Sequence, residues 1–458
     1  MINKIFALFV FSIFTQLSFA SENPTPPDSI SVSIVNRTAA AYIVEEARAL
    51  FSQGKFKDAL IKFRQASIKD PSSWKAPYWV SRCHYEMDNY GYALKYAKEA
   101  IVLNDNEIEK DVYNLLANSY HRLGMIDSAT VLYEMAISKL TKVRAEELNL
   151  PLKLEQCKFV MAEKEAGNKL RRKRLTGSVN TGYNDYGAVV FDGGKSMYFT
   201  SRRENTTGGG QNPSDQQFFE DIYRATWDSE MNEWDSITNE LGKINTTGFE
   251  SVSHISEDGL YAYITMNMEA ASKTKSKTKS SDIAEVNWTT QERWASPKII
   301  NNKSINTSFF DSGATLTGDG NTMYFVSEKN ADKSKSDIYV VQRIGKKWGD
   351  ATRLPDVVNS NERETTPFIT PDGKYLFYSS NGFVGMGEYD IYFSENLGGG
   401  NWGAPKNLGA KINTVNNDTH FKFYEKLNKA YFSGLEIVGD KASMDIYELT
   451  ITLEELLK

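Results

Sequence analysis

The stretch FITPDGKYLFYSSNGFVGMGEYDIYFS, residues 368–394, decides the fold. A strand pattern enters Pro371-Asp372-Gly373, then comes an aromatic run, a glycine-rich loop, and Asp390-Ile391-Tyr392. Asp-Gly between alternating apolar runs is a strong hairpin signal. The aspartates mark either a site or one unit of a repeat.

The rest of the chain shows a repeat. Asp-Ile-Tyr recurs at Asp221, Asp337, Asp390 and Asp445, with Asp-Ile-Ala at Asp282; the spacings are 61, 55, 53 and 55 residues. An Asp-Gly pair precedes the first four, at Asp192, Asp258, Asp319 and Asp372, and Lys426-Leu427-Asn428 stands at the fifth. A tryptophan follows four of them (Trp234, Trp294, Trp348, Trp402). An apolar residue and an asparagine then close each of these units, at Asn245, Asn306, Asn359 and Asn413. Four short strands per unit, repeated around a ring, predict a β-propeller. No helix alternates with the strands, which argues against a parallel α/β sheet. The last unit lacks its tryptophan and its apolar-Asn pair, while Val179-Asn180 precedes the first. The strand near 175–180 is therefore expected to complete the last blade, closing a propeller over 175–451. Five blades are expected, with six as the alternative.

Before residue 170 alanine, leucine, lysine and glutamate dominate at helical spacing. Ala59, Ala93 and Ala129 lie 34 and 36 residues apart, each within a recurring pattern of small and aromatic residues. That is the period of the tetratricopeptide (TPR) repeat, a helix pair of about 34 residues. Residues 39–170 are read as a TPR-like domain whose final helical stretch caps the array. The fold class is thus multidomain α+β, a helical solenoid followed by an all-β propeller. The basic run NKLRRKRL, 168–175, meets either an anionic partner or the C-terminal dipole of that helix.

TPDGKYLFYSS…YDIYFS resembles the WD40-like PD40 repeat, related to the TolB propeller. The order of TPR repeats and PD40 propeller is similar to Bacteroidetes envelope proteins of the PorE/OmpA family. The resemblance covers roughly residues 40 to 450 and implies an envelope role. An OmpA-like domain, which the longer members carry, is not found before Lys458. Peptidoglycan attachment is therefore not carried over.

Residues 1–20, MINKIFALFVFSIFTQLSFA, have a lysine, a short apolar run and a small-residue site, the build of a signal peptide. Residues 21–38 read as a linker. The apolar run has no cysteine, so no lipid-modified N-terminus is expected, and no later segment suggests a transmembrane span. An exported, periplasmic protein is expected, with peripheral outer-membrane association open. A net charge of -6 gives no reason to expect nucleic-acid binding. Cys83 and Cys157, the two cysteines, form either a disulfide or two buried thiols.

An acid follows each closing asparagine by five residues: Asp185, Glu250, Asp311, Glu364 and Asp418. Such a ring at the channel mouth either binds a cation or basic peptide, or accepts hydrogen bonds from neighbouring loop amides. The Asp of each Asp-Ile-Tyr is read as a turn residue bonding its own backbone. Glycosidase chemistry needs two carboxyls in unlike environments, and equivalent copies argue against it. The four histidines show no metal-ligand spacing. No cofactor is expected. Two loops are candidate contacts: the lysine-rich 268–281, and the 202–221 insertion with Phe218 and Phe219 either exposed or tucked back. Asn114 and Asn118, one helical turn apart, are candidate peptide-backbone ligands on the concave helical face. The sequence points to a non-catalytic protein-binding scaffold with envelope proteins or peptides as partners. Glycan-binding and glycoside-hydrolase readings are its alternatives.

Overall fold

The computed structural model describes residues 32–103, 111–212, 215–267, 281–330, 335–439 and 441–458. The expected signal peptide, most of the linker and nearly all of the lysine-rich loop lie outside the described residues. Among the described residues no helix is long and apolar enough to cross a membrane.

A helical array comes first. Helices α1 (Ile34–Ser52) and α2 (Phe56–Lys69) form one antiparallel pair. Helices α3 (Lys75–Glu86) with α4 (Tyr90–Leu103), and α5 (Asp111–Arg122) with α6 (Ile126–Lys139), form two more. A short α7 (Lys142–Glu147) leads to α8 (Leu150–Glu165), which covers the last pair. Helix α1 already begins within the segment expected as linker, because Ser33 caps it by accepting from Asn36 N. Each pair turns at a left-handed residue: Gly54 (φ 77°), Asp88 (φ 58°) and Gly124 (φ 72°). At each, the next amide returns to a carbonyl near the helix end: Lys55 N to Leu50 O, Asn89 N to His84 O, Met125 N to Tyr120 O. Ala59, Ala93, Ala97, Ala117, Ala129 and Ala136 are fully buried, so paired helices approach closely, and Phe63 and Tyr133 fill the spaces beside them. Cys83 and Cys157 are free and buried, in separate apolar clusters.

The second half is a five-bladed β-propeller. Its inner strands are Asp185–Phe191, Phe249–Ile255, Asp311–Leu316, Glu364–Ile369 and Asp418–Tyr424. Each blade runs antiparallel from inner to outer strand, and the apolar cores lie between neighbouring blades. The turns follow their sequence signal. In blade 4, Asp372 Oδ1 accepts from Lys374 N at 3.0 Å and from Thr370 Oγ1 at 2.6 Å, with Gly373 at φ 73°.

The ring closes as a split blade, with a shift from the expected segment. Pairing with the last strand begins two residues early, with Lys173 opposite Glu448 and Arg174 opposite Tyr447, and Leu175 N then donates to Ile446 O at 3.0 Å. The basic run serves this closure, and α8 has already ended at Glu165. Arg172 pairs with Asp418 (2.5 Å) and lies 4.1 Å over the Tyr447 ring. Lys173 pairs with Glu448, and Arg174 with Asp445. A terminal turn, α9 (Leu453–Leu456), carries a Thr452/Glu455 capping box and buries Leu456 against blade 5.

Candidate functional site

The five acids are fully buried, and none lines the axial cavity. Each is held by the residue that follows its asparagine. Thr181 N donates to Asp185 Oδ2 at 2.6 Å, Thr307 N to Asp311 Oδ2 at 2.6 Å, and Thr414 N to Asp418 Oδ2 at 2.6 Å. Thr246 N and Ser360 N donate to Glu250 and Glu364, both at 3.0 Å. The hydroxyls of the same residues donate as well. Arg203 adds an ion pair at Asp185 (2.8 Å) and Arg172 one at Asp418. The acids therefore do not converge on one ligand; each pins the loop that joins two blades. Burial pushes Glu250 and Glu364 up to about 7. It also raises Asp311, and raises Asp418 despite Arg172 beside it. Among the described residues no group of three or more His, Cys, Asp or Glu could hold a metal ion.

The repeat motifs recognise one another. Asn359 Oδ1 accepts from Ile338 N at 2.7 Å, and its Nδ2 donates to Ile338 O at 3.1 Å. Asn180, Asn245, Asn306 and Asn413 make the same pair of bonds to Ile446, Ile222, Ile283 and Ile391. Asp390 accepts from Met386 N, four residues back in its own loop, as a turn residue would; the aspartates otherwise bond outward. Asp221 accepts from Thr207 N and Asn239 Nδ2, Asp337 from Arg353, and Asp390 from Asn407. The signal for these roles is the pattern Asn-Thr/Ser-x-x-x-acid, identical in all five copies.

The glycine-rich loop of blade 4 is not like its counterparts. It enters the helical array. Met386 O accepts from His121 Nε2 on α5 at 2.9 Å, and Gly387 O from Gln156 Nε2 on α8 at 2.9 Å. Arg122 donates to Val415 O (2.5 Å) and pairs with Glu388. Asn149 Nδ2 donates to Glu362 Oε1, and Ala410 N to Glu163. A Cβ at Gly385 would lie 1.7 Å from Asp390 Oδ2, and one at Gly387 would lie 2.4 Å from Asn416 O. Only glycine lets the loop fold this tightly. Burial and Arg122 hold His121 at about 3, so it stays neutral.

Asn114 and Asn118 lie at this junction and are already engaged. Lys153 Nζ on α8 donates to Asn114 Oδ1 (3.4 Å) and Asn118 Oδ1 (3.0 Å), and Tyr133 OH donates to Asn118 (2.9 Å). They face the covering helix and not an open groove. At the other end of the array, Lys57 Nζ donates to Gln216 O and Gln216 Nε2 to Asp58, joining α2 to the blade 1 insertion. Phe218 and Phe219 tuck back: Phe219 is buried against Phe249, with ring centres 5.0 Å apart, and Phe218 meets Tyr183 edge-on.

The propeller axis holds a cavity of about 400 Å³. Its lining is unequal around the ring: Tyr186, Phe249 and Phe310 give aromatic surface, while Ser312, Thr365 and Thr419 give hydroxyls. His420 and Lys422 of blade 5 complete it. Sequence reasoning missed these residues: most flank the repeated acids, but their identities differ from blade to blade, so no common motif marks them.

Fold and junction together define a class: a TPR-like helical array seated on a five-bladed propeller. No family model and no curated protein matches the chain. Among solved structures it is similar to the first TPR domain of human RPAP3, with 20% identity, a TM-score of 0.25, and coverage of 28% of this chain and 98% of that one. The Yersinia enterocolitica type III secretion chaperone SycD, in complex with a peptide of the translocator YopD, gives 16% identity and a TM-score of 0.25, covering 28% of this chain and 97% of that one. The N-terminal domain of STI-1 from C. elegans gives 14% identity and a TM-score of 0.23, covering 26% and 99%.

Proposed function

We propose that the protein is a non-catalytic interaction scaffold, exported to the periplasm and serving an outer-membrane-associated assembly. The type IX secretion or gliding machinery is the first candidate, on the resemblance of the repeat order to Bacteroidetes envelope proteins with PD40 propellers. The observation that carries the scaffold reading is the seating of the Met386 loop against α5 and α8. It joins two interaction folds into one composite surface, so partners meet a fixed geometry. Crosslinking of intact cells producing the tagged protein, followed by mass spectrometry, tests this. Recurrent links to one envelope protein support it. Retention on cell-wall polysaccharide with no protein link above background sinks it.

One observation favours a second reading, a glycan-binding propeller. The axial cavity is unequal and partly aromatic, as a sugar site requires, and its size falls within the usual range for small ligands.

A further inference from the structure

The lining of the axial cavity contains one cation and one acid among the described residues, Lys422 and Glu220. They are not paired with each other. Glu220 is taken up by Tyr186, which bonds its carboxyl, and by the charge of Arg202. Lys422 is 8% exposed, and its ammonium has one hydrogen bond, to Ser253 O at 2.7 Å. No carboxylate among the described residues pairs with it. It reaches from blade 5 to Ser253 of blade 2, while in blade 1 a Cβ on Gly187 would meet the His420 ring at 3.3 Å.

A buried cation without a counter-charge is costly. An ammonium has three donors, and one is used here. The groups around it do not supply the missing charge. His420 and His254 lie half-buried near Lys422, and desolvation together with its charge lowers both to about 3, so they stay neutral. Tyr186 is driven well above its ordinary range by burial. The remaining polar lining is uncharged: the amide of Asn267 and hydroxyls such as those of Ser251, Ser312, Thr365 and Thr419.

The backbone adds an independent mark. Two residues after the acid, blades 1 and 3 place Gly187 (φ 70°) and Gly313 (φ 67°) in the left-handed region. Blades 4 and 5 place Thr366 (φ 48°) and His420 (φ 56°) there instead. A β-branched residue at positive φ is an outlier, and strain of this kind clusters at ligand sites. Both strained residues line the cavity, on the side that carries Lys422. Phe310, 40% exposed, stands where the cavity reaches the surface.

We propose that this cavity binds an acidic sugar of monosaccharide size, its carboxylate on Lys422 and its ring between Tyr186, Phe249 and Phe310. The inference rests on the glycan-binding reading and is independent of the scaffold reading. Aromatic faces and hydroxyls suit a sugar ring, and the unpaired ammonium selects the charged one.

Calorimetric titration of the full protein with glucuronate, glucose and inorganic phosphate tests it. Glucuronate is expected to bind at least tenfold more tightly than glucose. Lys422→Met is expected to abolish that difference, and Phe310→Ala, a change at the partly exposed rim, to weaken glucuronate severalfold with folding intact. Equal binding of glucose and glucuronate overturns the role of Lys422 and leaves the glycan reading standing. Phosphate binding as tightly as glucuronate overturns the sugar assignment. No binding of any of the three overturns both.

Discussion

Asn359 holds both backbone groups of Ile338, accepting from its N–H and donating to its C=O across 21 residues of chain. Its amide also reaches Leu354 O at 2.9 Å. One side chain thus ties the third strand of blade 3 to the loop entering blade 4. Asn359→Ala leaves the Ile338 N–H buried without its partner, while Ile338 O keeps Leu354 N at 2.9 Å and Leu354 O keeps Arg353. One orphaned group costs about 1–3 kcal/mol, and a loss of that size is expected. Urea unfolding against wild type checks it, and a change under 1 kcal/mol would show that water replaces the amide.

Ring closure depends on the chain before blade 1. Arg172 and Asp418 are both buried, whereas the Arg174 side chain is 43% exposed where it pairs with Asp445. Removing one partner of a buried pair strands a charge and costs about 3–5 kcal/mol. Exposed ends are screened and contribute about 1 kcal/mol or less. Arg172→Ala should therefore destabilise the propeller far more than Arg174→Ala. Thermal unfolding of the two variants decides it, and equal losses would contradict the ranking.

The seating of the arm should be separable from its folding. Gly387→Ala places a methyl against Asn416 O and forces the loop away from α8. Hydrogen exchange is expected to rise along α5 and α8 while the blade cores of 1 and 2 keep their protection. Uniform loss of protection would mean that the arm and the propeller unfold together.

Glu364 is raised to about 7 by burial, against an ordinary value of 4.5. The folded state therefore holds its proton more tightly than the unfolded state. Its contribution is fully present below pH 4.5 and is lost as pH rises through 7. Glu364→Gln removes this dependence. The stability difference between variant and wild type should shift by roughly 3 kcal/mol in the variant's favour between pH 4.5 and 8. A constant difference across that range would place the carboxyl in a wetter environment.

Much of the architecture was legible in the chain. The 34- and 36-residue alanine spacing sets helix pairs because only small side chains allow the close approach seen at Ala59, Ala93 and Ala129. Asp-Gly turns and the recurring Asp-Ile-Tyr set the strands and the blade count, since each unit repeats the same local geometry. The five acids were legible as a set, but not their direction. Their hydrogen bonds are made four residues away, to Thr or Ser beside the asparagine, and that turns them from the axis.

Sequence by itself determined what is local and what is repeated: helix pairs, hairpins, four full units and a split one. Tertiary structure alone decided what those units do to one another. His121 and Met386 are 265 residues apart, and no periodicity links them. The glycine-rich loop that opened the question is a wedge into the helical array, because Gly385 and Gly387 let its backbone pass where a Cβ cannot. Asn114 and Asn118 lost their open face to Lys153 for the same reason: a distant helix folded over them. Lys422 became a buried, unpaired cation only when five inner strands closed around one axis.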